Sequence, residues 1–389
     1  MIAAGDILFY KYKKLWQENY FMKKELALGM MRLPVTLDKK IDYHKTNQLV
    51  DYFLEQGFRK FDTAELYHDT QSESAIRECI VKRHDRDSFE IADKLTSWRI
   101  AENSSAEEFF QKQLQVTNLD YFDRYLLHSV EEKNYPAAVE KRYFDFILEK
   151  KAQGFVREAG FSFHGKPELL DKVLTEYPEM EFVQLQINYA DWDNPTVRSG
   201  ECYHIARKHG KKILIMEPVK GGLLANLPPA AVKLLKVAAP DKSIASWAVR
   251  FAAGLEGVDT VLSGISNMEQ MIDNVALMKD FQPLNSAERQ TLQELVSLLT
   301  KIPRVGCTGC GYCLPVCPKE LPIPSFITIL NNAKMFGDLP QIRNSYKFHS
   351  AQHPADECIN CKKCTNVCPQ HLQIPTHLAD LAEWAKKSE

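Results

Sequence analysis

From residue 25 to residue 265 the chain alternates short β-rich apolar segments with longer amphipathic ones, at intervals of about 25–35 residues. The strand segments are ELALGM (25–30), RKFDTA (59–64), FEIADKL (89–95), FDRYLLHS (122–129), REAGFSF (157–163), FVQLQIN (182–188), KILIMEP (212–218) and DTVLSGI (259–265). Between them lie helical patterns such as TNQLVDYFLEQG, in which Leu49, Val50, Phe53 and Leu54 recur at helical spacing and Gly57 supplies the stop. Eight strand–helix units over about 280 residues predict an α/β fold, a closed parallel (β/α)8 TIM barrel, which typically takes ~250 residues. An open doubly wound sheet fits less well, because no strand–G-x-G-x-x-G–helix turn is present. The barrel is expected over 22–285, after an extension at 1–21 in which Met22 is an alternative start. A linking helix over 286–303 then leads to a small, mostly helical domain over 304–389.

That last domain carries the most specific motif of the chain. Cys307, Cys310, Cys313 and Cys317-Pro318 form one C-x2-C-x2-C-x3-C-P run, and Cys358, Cys361, Cys364 and Cys368-Pro369 form another. This spacing holds 4Fe–4S clusters, with three thiolates from one run and the fourth from the other. Eight of the ten cysteines fall in these runs. A disulfide framework suits small secreted chains, and structural zinc would leave an extra cysteine in each run unexplained. Two 4Fe–4S clusters are therefore expected, with Cys307, Cys310, Cys313 and Cys368 on one and Cys358, Cys361, Cys364 and Cys317 on the other. Cys79 and Cys202 sit in helical patterns and read as packing residues.

Composition adds bounds. With 45% hydrophobic and 26% charged residues the chain reads as an ordinary globular protein, and a net charge of −2 offers no basic field for nucleic acid. No uncharged apolar run approaches ~18 residues, so no membrane span is expected. Thiolate clusters need a reducing compartment, which points to the cytoplasm.

Reading the ends of the strands gives Asp62 after the second, Lys94 after the third, His128 after the fourth and Ser162 after the fifth, with Tyr67 in the loop DTAELYHD. In a parallel barrel these ends carry the chemistry. The ordered motifs F-D-T-A-x-x-Y, A-D-K-L and Y-L-L-H resemble those of the aldo-keto reductases, over roughly residues 25–300. The resemblance implies hydride transfer between a nicotinamide and a carbonyl or alcohol, with Tyr67 as general acid and Asp62, Lys94 and His128 around it. A phenol is a poor acid at neutral pH unless its phenolate is stabilised, so the Lys94 ammonium is expected to lower the Tyr67 pKa. Met30, Trp98, Tyr189 and Trp192 are candidate pocket walls.

The resemblance also assigns cofactor contacts. Ser162 matches a nicotinamide-amide ligand, although Phe163 stands where the family has Asn. Gln184 matches the family glutamine, and Met216 stands where an aromatic stacks on the ring. Gly221 and Gly222 lie in a loop similar to the pyrophosphate loop. Gly264, Ser266 and Asn267 open the last barrel helix, where a phosphate is favoured. Asn274 matches an adenine contact. Asn267 and Gln270 replace the Lys and Arg of NADPH-specific relatives, so NADH binding at least comparable to NADPH is expected, with FMN the rival.

The C-terminal part resembles the helical ferredoxin domain of succinate dehydrogenase and fumarate reductase iron–sulfur subunits. The leading expectation is an iron–sulfur oxidoreductase acting on a small carbonyl or alcohol, with the clusters exchanging electrons with an external carrier such as ferredoxin or flavodoxin. Hydride carries two electrons and a cluster one, so a flavin- or radical-mediated reductase fed by the clusters is the second reading. A non-enzymatic redox sensor is the third.

Overall fold

The computed structural model describes residues 24–387, and the extension expected at 1–21 lies outside them. The chain forms two compact units. Among the described residues, the first comprises 24–192 together with 199–218 and 246–284; the second comprises 193–198, 219–245 and 285–387. The second unit thus takes in two segments that the sequence pattern places inside the barrel stretch. Packing accounts for this: the helix Pro229–Ala238 lies against the helix Ser286–Thr300, and a Cβ on Gly309 would meet Thr196 at 2.8 Å.

In the first unit, β1 (Glu25–Gly29), β2 (Lys60–Asp62), β3 (Glu90–Leu95), β4 (Phe122–Val130), β5 (Val156–Phe163), β6 (Phe182–Gln186), β7 (Lys212–Met216) and β8 (Val258–Gly264) form a closed barrel in chain order. All pairings are parallel, and closure sets Leu28 against Ser263 and Gly29 against Gly264.

Helix boundaries follow from local chemistry. The Asp42 side chain accepts the Lys45 N–H to start the helix Tyr43–Glu55, which ends just before Gly57 at φ 85°. Ser105 and Glu108 form a capping box on the helix Ala106–Thr117, which buries Phe110, Gln113, Leu114 and Thr117. That spacing is one helical face.

Inside the barrel, Ala27, Ala92, Leu126, Phe182, Leu214 and Leu262 make an apolar cluster. Gly160 is required there, since a Cβ would meet the Phe182 ring at 2.6 Å. Near the N-terminal ends of the strands, Arg124 pairs with Glu158 and Asp259, each at 2.8 Å.

The second unit is helical. The helices Ile323–Phe336 and Ile374–Lys386 pack together; the first buries Phe326, Ile327 and Leu330, and the second Leu378, Leu381 and Ala382. Cys79 and Cys202 are buried within helical turns of the first unit. No helix among the described residues is long and apolar enough to cross a membrane.

Candidate active site and cysteine cavities

The period of two along a strand decides which side chains share the barrel interior. Lys94 lies two residues beyond Ala92, and His128 two beyond Leu126, so both continue the inward face above the apolar cluster. Asp62 ends β2. Fully buried Lys94 donates through Nζ to Asp62 Oδ1 at 2.6 Å and to the Thr63 carbonyl at 2.6 Å. Gln184 donates to the other carboxylate oxygen of Asp62 at 3.0 Å. The Lys94 ammonium lies 4.9 Å from the Tyr67 ring centroid, and the Tyr67 and His128 rings stand 6.1 Å apart, edge to face. The structure therefore gathers Asp62, Tyr67, Lys94 and His128 at one end of the barrel.

Their electrostatics correct one expectation. Burial pushes the Tyr67 phenol above its ordinary value, and this outweighs the lowering by Lys94, which Asp62 also opposes. Part of the Tyr67 side chain remains reachable by solvent. Desolvation of the phenolate is the reason that simple charge proximity misleads here. Tyr67 is thus held as the protonated phenol at neutral pH. Burial alone would lower Lys94, yet Asp62 and Tyr67 raise it, so it stays an ammonium. Burial, with Lys94 adding, takes His128 well below the usual histidine range, so it is neutral.

Two residues that sequence reasoning did not single out complete the arrangement. The Thr96 hydroxyl, fully buried, lies 3.0 Å from His128 Nδ1. As the donor to Nδ1, that hydroxyl would leave the imidazole proton on Nε2. His128 then offers an N–H to an incoming carbonyl oxygen. Thr96→Val keeps the shape and removes that bond; turnover is expected to fall on the order of tenfold, the equivalent of about 1.4 kcal/mol. Thr96→Ser should restore it. Steady-state rates on the two variants check this, and equal activity of the Val form would show that Thr96 does not set the tautomer.

His68 accepts the Leu33 N–H through Nε2 at 3.0 Å and so ties the Tyr67 loop to the turn after β1. His68, Asp69 and Thr70 all have positive φ, a left-handed run that ordinary residues adopt only at a cost of about 1 kcal/mol each. The indole of Trp98, half-exposed, lies 5.2 Å from the His128 ring, whereas Tyr189 and Trp192 are buried and pack on Phe251.

Behind Lys94 lies a buried carboxyl pair, Glu73 and Asp93. Gln113 Nε2 donates to Glu73 at 2.7 Å and to Asp93 at 3.2 Å. Burial pushes Glu73 up to about 7, and burial together with Glu73 raises Asp93 well above its ordinary value. Two such carboxyls hold a proton between them. Because the folded pKa of Glu73 lies above its ordinary 4.5, the folded chain binds more protons than the unfolded one between those values. Stability from this group is lost as pH rises through that window. Glu73→Gln supplies a neutral donor permanently, so it should raise stability at pH 8 by on the order of 1–3 kcal/mol and do little at pH 4. The thermal midpoint at both pH values reads this out, and a lower midpoint at pH 8 would contradict it.

The cofactor positions fall as follows. Ser162 and Gln184 are register partners on β5 and β6, so their side chains point to the same side. Ser162 Oγ accepts the Ser129 N–H at 2.7 Å, at a β4–β5 irregularity where Ser129 has φ 53°; its own proton remains to donate. Phe163 is buried, and Met216 ends β7 half-buried. Asn267 caps the helix Met268–Lys279 by accepting the Gln270 N–H, and Gln270 Oε1 accepts the Ser266 N–H, both at 2.9 Å. Asn274 is buried and accepts from Ser263 at 3.3 Å. Gly264 is covered by a cation that the sequence reading did not place: a Cβ there would meet the Arg32 side chain at 2.9 Å, and Ser266 Oγ donates to the Arg32 carbonyl. Gly221 and Gly222, which belong to the second unit, have φ 61° and 94°.

In that second unit the cysteines line two cavities, each drawing on both runs. Cys307, Cys310, Cys313 and Cys368 line one, with Ile323, Ile327 and Leu372. Cys317, Cys358, Cys361 and Cys364 line the other, with Leu321 and Leu378. Among the described residues no three His, Cys, Asp or Glu side chains converge tightly enough for a single ion, whereas a four-iron cube binds thiolates at separate corners. Burial pushes the Cys313 thiol up to about 12, so its use as a thiolate ligand would draw on the energy of the bound cation. Four thiols around an apolar void fit an iron–sulfur cube.

The two runs also share a backbone. Gly309, Gly311 and Glu320 in the first have φ 66°, 81° and 51°; the equivalent Asn360, Lys362 and His371 in the second have φ 52°, 59° and 52°.

Comparison with known proteins adds the following. Residues 25–297 match the aldo/keto reductase family, and residues 306–373 match the 4Fe-4S dicluster domain. The chain is similar to the uncharacterized oxidoreductase YqkF of Bacillus subtilis, at 24% identity over 70% of this chain and 91% of that protein. It is similar to the holo structure of aldo-keto reductase AKR11C1 from Bacillus halodurans, at 25% identity and TM-score 0.56, over 70% of this chain and 91% of the other. An aldo-keto reductase from Klebsiella pneumoniae in complex with NADPH shares the fold, with TM-score 0.56 and 16% identity over 73% and 94% of the two chains.

Proposed function

Since the chain belongs to the aldo/keto reductase family and is an oxidoreductase with a 4Fe-4S dicluster domain, we propose that its barrel interconverts a small carbonyl compound and its alcohol by direct hydride transfer. The observation that carries this reading is the convergence of Asp62, Lys94, Tyr67 and His128, with Tyr67 protonated and His128 neutral. A reduced nicotinamide supplies the hydride when bound. His128 holds the carbonyl oxygen through Nε2–H, and Tyr67 gives that oxygen its proton. Lys94, kept charged by Asp62, stabilises the phenolate left behind. Gln184 fixes the second oxygen of Asp62.

Ser162, Gln184 and Met216 would meet the nicotinamide, and Gly264, Ser266, Asn267, Gln270 and Asn274 the rest of the dinucleotide. Gly221 and Gly222 keep the left-handed form a phosphate loop uses. The eight cysteines would hold two 4Fe–4S clusters, which supply one-electron transfer, in exchange with an external carrier in a reducing compartment such as the cytoplasm.

Asn267 and Gln270 are neutral and hydrogen-bonded to the helix start, so NADH should bind at least as well as NADPH. Anaerobic titration with NADH, NADPH and FMN tests the cofactor. Strong NADPH selectivity would contradict the expectation and turn attention to Arg32. Binding of FMN in place of any nicotinamide would favour the flavin-mediated reading.

A further inference from the structure

The two cysteine cavities share a backbone and differ in charge. Counted from their cysteines, Lys319 corresponds to Gln370, Lys362 to Gly311 and Lys363 to Tyr312. Lys319 and Lys362 line the cavity of Cys317, Cys358, Cys361 and Cys364. Their counterparts Gln370 and Gly311 line the other cavity, whose lining contains no charged side chain. Lys319, Lys362 and Lys363 are exposed, and none of them has a carboxylate partner among the described residues.

Two further observations make this asymmetry more than a solvated surface. Lys362 stands at φ 59°, a left-handed position filled by glycine in the first run. A lysine is disfavoured there by its Cβ, and such strain concentrates where a side chain is needed. Beside it Ile359, 59% exposed, and the exposed Cys361 bring the cavity edge to the surface. An apolar contact ringed by unpaired cations complements an acidic rim.

We infer that the mouth of the Cys317/Cys358/Cys361/Cys364 cavity is the docking surface for a small acidic one-electron carrier protein, with Lys319, Lys362 and Lys363 as its steering charges. This rests on the proposal that the cysteines hold clusters. With a cluster held by Cys317, Cys358, Cys361 and Cys364, each encounter would pass one electron from the reduced carrier to that cluster, the carrier being oxidised by one electron and no atom or proton needing to move. The other cavity, with a neutral lining, lacks these steering charges.

The test uses the full anaerobic chain and a triple variant, Lys319→Gln, Lys362→Gly and Lys363→Gln. The first two substitutions copy residues already fitting the same backbone in the first run. Reduced flavodoxin, an acidic carrier, is mixed with each protein, and loss of iron–sulfur absorbance is followed at several ionic strengths. Reduced methyl viologen, a small cation, serves as control. The variant should react at least tenfold more slowly with flavodoxin and lose most of the salt dependence, while its rate with viologen does not fall. Equal flavodoxin rates would overturn the proposal. So would an altered reduction potential with unaltered flavodoxin kinetics, which would mean that the lysines only offset cluster charge. Iron assay keeps the two levels apart: wild-type protein without iron would remove the cluster reading itself, and this proposal with it.

Discussion

Tyr67→Phe is expected to lower turnover by about 10²–10⁴-fold while changing dinucleotide affinity little. The substitution removes only the hydroxyl. The Lys94–Asp62 pair and the Gln184 bond to Asp62 do not pass through Tyr67, so the rest of the site should hold its shape. The pH profile follows from the shifts. Tyr67 is raised, so the acid form persists at least to its ordinary pKa of 10.0; His128 is lowered well below 6.5, so it remains neutral above that value. Neither group should therefore introduce a limb into the carbonyl-reduction rate between about pH 6.5 and 10. Single-turnover rates and dinucleotide binding on wild type and variant check both statements. An unaltered rate in the Phe variant would remove Tyr67 from its assigned role.

The other large effect concerns Cys368. It lies in the second run but lines the cavity with Cys307, Cys310 and Cys313. Cys368→Ser is therefore expected to damage the same cluster as Cys310→Ser, reducing iron from about eight to about four per chain if that cube is lost. Low-temperature electron paramagnetic resonance of the three reduced proteins, Cys368→Ser, Cys310→Ser and Cys361→Ser, reads which spectrum survives. The first two should match and the third differ. A Cys368→Ser spectrum matching that of Cys361→Ser would mean that each run holds its own cluster.

The strand order was legible because eight apolar segments at regular spacing leave few alternatives to a barrel, and the observed strands begin and end within two residues of those segments. The motifs also put Lys94 and His128 at strand ends, and the observed apolar cluster with Ala92 and Leu126 then sets them on the interior face. What lay beyond the sequence depends on long-range packing. Thr96 looks like any polar residue at a strand end until His128, 32 residues away, brings its Nδ1 within reach. Asp93 reads as a strand charge, and only the folded chain sets Glu73 and Gln113 around it. The direction of the Tyr67 shift turned on how much protein surrounds the phenol, a quantity no motif contains. Arg32 follows β1 and meets Gly264 only because β1 closes the barrel on β8. The membership of 219–245 in the second unit likewise follows from packing between the helices Pro229–Ala238 and Ser286–Thr300.

Direct hydride transfer in the barrel is tested most simply with deuterium. The anaerobic protein is given NADH or NADPH carrying deuterium at the transferable C4 position and a panel of aldehydes and 1,2-dicarbonyls, and the products are analysed by mass spectrometry and NMR. The account predicts one deuterium on the carbinol carbon of each product molecule, with the hydroxyl proton drawn from solvent through Tyr67. Product formed without the label at that carbon, its hydrogen taken from water instead, would contradict direct transfer and place a flavin or a one-electron route between nicotinamide and substrate.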